Sequence, residues 1–329
     1  MSVRLSRYWF LLLLLAGLSL AAARPEWLRP WVNWLEPRLM VGTALFLMAW
    51  GLESRRLLDA LLRPWAALWA LLISYGLLPV LAWVAGGLLP EADLRLGLMI
   101  AASVPCTLAS AVLWTRLAGG DEATALLAVL LTTCTSWLAT TAWLALTTGA
   151  AAALDTTDLM TGLLGVLVLP VGLGQLGRAR APLRQAAERF KPIGGVLSRL
   201  LIFSIILRAA VDVSAKLAEK AATLTLPALF TVAVLCLGAH LAALGTGFWT
   251  GRWWGLERPQ RIAVAFACSQ KTLPVALFVF DRYFKEAYPL AVVPLVFYHV
   301  GQLVVDTFIA EGLAGKPSGE TGPLPEPAG

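Results

Sequence analysis

The chain has 329 residues, of which 59% are hydrophobic and only 14% charged, and its mean hydropathy is +0.76. Soluble domains carry roughly a quarter of their residues as charges, so the composition excludes a soluble globule and marks a polytopic membrane protein. The net charge of +6 does not indicate a nucleic-acid partner, because the basic residues fall in short clusters between apolar runs, as membrane topology requires.

In chain order, residues 8–23 follow Arg4 and Arg7 and have the apolar core and Ala21-Ala22-Ala23 of a signal peptide, but the count of spans favours a retained first helix. Further apolar spans are expected at about 38–52, 64–86, 94–118, 123–149, 159–176, 193–213, 224–250, 262–280 and 289–312. The transmembrane region then covers 1–314, and residues 315–329, with four Pro and four Gly and no apolar face, read as a disordered tail. Fifteen Lys and Arg fall on the side of the N-terminus and eight on the other, with Arg199, Arg208 and Lys271 inside spans. Cytoplasmic loops are rich in Lys and Arg, so both termini are expected in the cytoplasm, the chain crossing a bacterial-type inner or plasma membrane. The cysteines Cys106, Cys134, Cys236 and Cys268 lie in apolar segments without paired spacing and read as small hydrophobes.

Ten spans divide into two fives, about 1–155 and 156–314, and an odd number makes the halves cross with opposite orientation, the mark of an inverted repeat. Sliding the halves by 160 residues sets Ser110-Ala111 on Gln270-Lys271 and Asp121 on Asp281. The fourth span carries Ser103, Pro105, Thr107 and Ser110; the ninth, AVAFACSQKTLPVALFVF, carries Ser269, Gln270, Lys271 and Pro274. A charge at the bilayer centre costs roughly 2.5–3.5 kcal/mol, so Lys271 should face a protein or water-filled interior and marks function. Each proline removes a helix hydrogen bond, and non-helical backbone at membrane depth persists only where it is buried in protein or lines a cavity. Paired interrupted spans in two halves point to the binding site of a transporter. In the tenth span His299, Gln302 and Asp306 share one helical face, read as a polar stripe toward that site. Arg208 and Asp212, four apart, read as an ion pair near the membrane edge. His240 stands alone on an apolar segment and reads as a packing residue.

The runs SVPCTLASAVLWTRLAGGDEATALLAVLLTTCTSW, ACSQKTLP and PLVFYHVGQLVVD resemble the bile acid:sodium symporter superfamily, most closely its branch with a Ser-Gln-Lys motif in the ninth helix. The resemblance implies an all-α fold of ten transmembrane helices as two inverted five-helix repeats. It further implies a panel of helices 1, 2, 6 and 7 beside a core of helices 3–5 and 8–10, with helices 4 and 9 interrupted and crossing. The implied activity is secondary transport of a small organic anion by alternating access, coupled to sodium or protons and without a resident cofactor. Ser110, Thr132, Thr133, Thr135 and Ser136 match the surroundings of one family sodium site and Gln270 a ligand of the other, which implies a sodium site at Ser110, Thr132, Ser136 and Gln270. Where sodium-coupled members have asparagine, glutamate and asparagine, this chain has Ala111, Phe266 and Lys271, a change that disfavours a hard cation needing oxygen ligands. The candidate substrate- and ion-binding set is Ser103, Thr107, Ser110, Thr132, Thr133, Thr135, Ser136, Ser269, Gln270, Lys271, His299, Gln302 and Asp306. Lys271 is expected to stay charged beside a bound anion or a carboxylate such as Asp306, or to exchange its proton during the cycle. Two alternatives stay open. One is an intramembrane enzyme using Ser269 and His299, for which no GxSxG or HExxH pattern exists; the other is an uncoupled channel or facilitator.

Overall fold

The structure, a computed structural model, describes residues 12–13, 16–21, 23–32, 34, 36–51, 53, 61–62, 64–147, 155–219 and 225–314. The expected tail at 315–329 lies outside these residues, and the question of a retained segment at 8–23 falls largely outside them. Among the described residues all regular structure is helical. Six stretches are long and apolar enough to cross a membrane: Trp65–Gly86, Glu122–Thr147, Thr156–Arg178, Leu226–Trp254, Arg258–Phe284 and Pro289–Leu313.

The helices are α1 (Pro25–Val32), α2 (Pro37–Trp50) and α3 (Trp65–Gly86), then α4 (Ala92–Ser103) and α5 (Leu108–Leu117). There follow α6 (Glu122–Thr147), α7 (Thr156–Arg178), α8 (Ala181–Glu219) and α9 (Leu226–Thr250), and last α10 (Arg258–Ser269), α11 (Leu273–Val279) and α12 (Val292–Leu313). Two expected spans are thus broken in the middle, 94–118 between α4 and α5 and 262–280 between α10 and α11. The span expected at 193–213 is instead the later part of α8, which runs unbroken for 39 residues through Pro192. The side chain of Asp212 lies outside the description, so its expected pair with Arg208 does too.

α2 packs against α7 and α8, and α1 against α8. On the other side of the molecule α9 packs against α10 and α12, α4 against α12, and α10 against α3. Small residues permit the closest approaches. A Cβ on Gly97 of α4 would lie 2.1 Å from the carbonyl oxygen of Ala291, and one on Gly247 of α9 would lie 2.8 Å from Cys268 Sγ of α10. The most apolar window of Arg258–Phe284 is 100% buried, against 28–56% for the other five stretches. The broken ninth span is therefore the centre about which the others pack.

The Asp121 N–H donates to the Pro259 carbonyl at 2.9 Å, which brings the segments 119–122 and 252–258 to one face of the membrane. In a background with Cys134 replaced, single cysteines at Glu122 and Trp253 should react with an impermeant maleimide from the same side. Reaction from opposite sides would contradict this arrangement.

Candidate functional site

The two breaks follow from proline chemistry. Val104 precedes Pro105 and is extended at φ −72°, ψ 162°, because the proline ring disfavours α geometry in the residue before it. Thr107, also extended, begins α5. In the second break Gln270 and Thr272 are extended, and Pro274 sits in the first turn of α11, where a missing N–H leaves nothing unpaired. Such backbone needs partners inside the protein, since lipid offers none. The Thr272 N–H donates to the Pro105 carbonyl at 3.0 Å and joins the breaks. Thr140 Oγ1 donates to Ser103 O at 2.8 Å, and Thr132 Oγ1 accepts from the Cys106 N–H at 3.2 Å. Gln302 of α12 clamps Lys271 from both sides: Oε1 accepts the Lys271 N–H and Nε2 donates to the Lys271 carbonyl, each at 2.8 Å.

The Lys271 side chain is 2% exposed and reaches across to α3. Its ammonium donates to Ser74 O, Ser74 Oγ and Val104 O, each at 2.9 Å, and lies 4.9 Å from the centre of the Tyr75 ring. Three acceptors match the three N–H groups of an ammonium. Both carbonyls are available for a structural reason. Val104 O lies in the first break, and Ser74 lies in a π-helical turn, Ile73–Leu77, where the Leu78 N–H bonds Ile73 O instead. The next residue is Pro79, which has no N–H to offer Ser74 O. Tyr75 O, the usual i−4 partner of residue 79, accepts from Trp143 Nε1 at 2.6 Å.

A second set of bonds runs through the other end of the crossing. Ser110 Oγ donates to Gln270 Oε1 at 2.7 Å, and Gln270 Nε2 donates to Asp306 Oδ2 at 2.6 Å. Asp306 Oδ1 lies 2.8 Å from His240 Nε2, and His240 Nδ1 lies 3.2 Å from Ser269 O. Ser269 O also accepts from the Tyr298 hydroxyl at 2.8 Å. Two expectations are corrected here. Asp306 takes His240 and Gln270 as partners, and among the described ion pairs none joins it to Lys271. His240 is part of the polar chain and not a packing residue.

The candidate residues divide accordingly. Ser110, Thr132, Gln270, Lys271, Gln302 and Asp306 meet at the breaks, and His299 Nδ1 accepts from Gln302 Nε2 at 3.0 Å. Thr107 stands at the N-cap position of α5, with its Oγ1 3.3 Å from Ser110 Oγ. The hydroxyls of Ser103, Thr133, Thr135, Ser136 and Ser269 instead donate to carbonyls of their own helices, a common use of buried hydroxyls. Ser269 Oγ bonds Ala265 O and His299 bonds Gln302, so these two do not form a nucleophile and base in contact. Ser74, Tyr75 and His240 complete the site and are absent from the set read from sequence. Pro79, five residues after Ser74, is the signal for the first two. Beside Lys271 and His299 the cavity is about 10 Å³, room for about one water.

The model of the SBF-like CPA transporter family matches residues 8–315. This chain belongs to that family. Similar proteins include Sodium/bile acid cotransporter 7 of Xenopus tropicalis, 25% identical over 93% of this chain and 91% of the relative. Those of Danio rerio and Rattus norvegicus are 26% and 22% identical, covering 77% and 93% of this chain and 72% and 92% of the relatives. As a member of the SBF-like CPA transporter family, the chain is a multi-pass membrane transporter.

Cysteines placed at Ser110 and Gln270 should be joined by a short bifunctional thiol reagent in the full-length protein, as the 2.7 Å contact requires. Failure to join them in any condition would contradict the crossing.

Proposed function

We propose that the chain is a secondary transporter of a small organic anion, working by alternating access, in which the Lys271 ammonium stands where a coupling cation would otherwise bind. The observation that carries this reading is the cradle of three neutral oxygens, Ser74 O, Ser74 Oγ and Val104 O, around Nζ. Carbonyl and hydroxyl oxygens are the ligands a hard cation selects, and here an ammonium already holds them. The fixed positive charge suits an anionic solute, and the relatives' name, Sodium/bile acid cotransporter 7, suggests an amphipathic organic acid. In this reading sodium at Ser110, Thr132, Ser136 and Gln270 is not needed for transport.

The same reading takes the chain as ten helices in two inverted repeats, with both termini cytoplasmic and a panel formed by the span at 8–23 with α2, α7 and α8. The spacing of the breaks supports two repeats in a register other than 160 residues: Ser103 and Ser269, where α4 and α10 end, are 166 residues apart, and Leu108 and Leu273, where α5 and α11 begin, are 165 apart. A cavity of about 10 Å³ at the crossing cannot hold an organic acid, so the solute requires an opening between moving parts. That favours alternating access over a channel.

Comparing the anions taken up by proteoliposomes with and without the protein supplies the substrate. On that substrate Lys271→Met should reach the membrane at the wild-type level and lose at least about tenfold in uptake rate, the scale of one charge-assisted contact. Near-normal uptake by Lys271→Met would sink the proposal.

A further inference from the structure

Both ring nitrogens of His240 face oxygen: Nδ1 lies 3.2 Å from Ser269 O, and Nε2 lies 2.8 Å from Asp306 Oδ1. A backbone carbonyl only accepts, so Nδ1 carries a hydrogen. A second hydrogen must then lie between Nε2 and Oδ1, because a bare ring nitrogen against an ionised carboxylate oxygen would set two lone pairs in contact. The other carboxylate oxygen cannot relieve this, since it accepts from Gln270 Nε2. Wherever the second hydrogen sits, the pair is neutral: imidazolium with carboxylate, or imidazole with carboxylic acid. His240 and Asp306 are both fully buried.

The neighbours do not change the count. Tyr298 donates its hydroxyl hydrogen to Ser269 O, His299 accepts from Gln302, and Lys271 turns away to Ser74 and Val104. We propose that His240 is a positioning residue of the transport site that offsets the charge of Asp306, so that Lys271 supplies the net charge of the described residues of the crossing. The proposal rests on the reading of Lys271 as the site's cation. It also explains the direction of the polar chain. A neutralised Asp306 that accepts from Gln270 turns the amide oxygen of Gln270 toward Ser110. Without His240 the buried carboxylate would oppose the ammonium, and the Gln270 amide would lose the partner that orients it.

The test reads the pair in the full-length protein without any transport assay, so it succeeds or fails separately from the assignment of a substrate. The chain has two histidines, so ring-nitrogen NMR of histidine-labelled protein in nanodiscs, repeated on His299→Gln, assigns His240 directly. The expected result is a doubly protonated His240 ring, or a carboxylic-acid infrared band that disappears in Asp306→Asn. A His240 ring with one bare nitrogen and no such band would overturn the proposal. Thermal stability gives a second readout that lost hydrogen bonding alone would not produce. Where the ring is doubly protonated, His240→Gln should lower the Tm, because removing one partner leaves a buried charge uncompensated, and adding Asp306→Asn should recover at least half of the loss. In that case a double variant no more stable than His240→Gln would equally overturn the proposal.

Discussion

The bonds between the Lys271 ammonium and the oxygens of Ser74 and Val104 are what the centre of the molecule depends on. They tie three separate stretches together: the π-helical turn of α3, the break between α4 and α5, and the break between α10 and α11. The magnitudes are consistent with a charge held at membrane depth. Burying a lysine there costs roughly 2.5–3.5 kcal/mol, and hydrogen bonds to charged groups contribute about 1.5–3 kcal/mol each, so three of them offset the cost. The Tyr75 ring at 4.9 Å adds a smaller cation–π attraction. Remove the ammonium and the carbonyls of Ser74 and Val104 lose this partner.

The breaks were legible in the sequence because proline leaves a local signature. Pro105 and Pro274 stand beside hydroxyl, amide and ammonium groups inside apolar runs, and a charged residue in such a run has few tolerable surroundings. The partners were less legible, since they come from distant segments. Ser74 looks like an ordinary small residue of an apolar helix until Pro79 and the π-helical turn free its carbonyl. His240 is isolated along its own helix, and only the packing of α9 against α10 and α12 sets it between Ser269 and Asp306. The hydroxyl run from Thr132 to Ser136 is more varied than its spacing suggests. It looks like a ligand cluster, yet α6 absorbs most of those hydroxyls into its own carbonyls and only Thr132 reaches the break. The 160-residue slide matched residue types, whereas the helix ends follow a spacing of 165–166.

Two positions where the resemblance to sodium-coupled family members implies oxygen ligands fall in packed surroundings. Phe266 is fully buried with Trp114, Ala118, Leu244 and Ile262, and Ala111 is buried in the main core. In the proposed reading, these buried apolar side chains and the ammonium of Lys271 belong together, since neither offers oxygen ligands to a coupling cation. In that reading the crossing carries its own cation. The bonds that close it run from the breaks to α3, α9 and α12, while α10 and α9 stay in close contact along Gly247.

The most direct test is the initial rate of substrate uptake into proteoliposomes, with all sodium replaced by choline at constant ionic strength and membrane potential. If Lys271 supplies the cation, the rate is unchanged by the replacement. A rate that collapses without sodium and returns when sodium is restored would contradict the account.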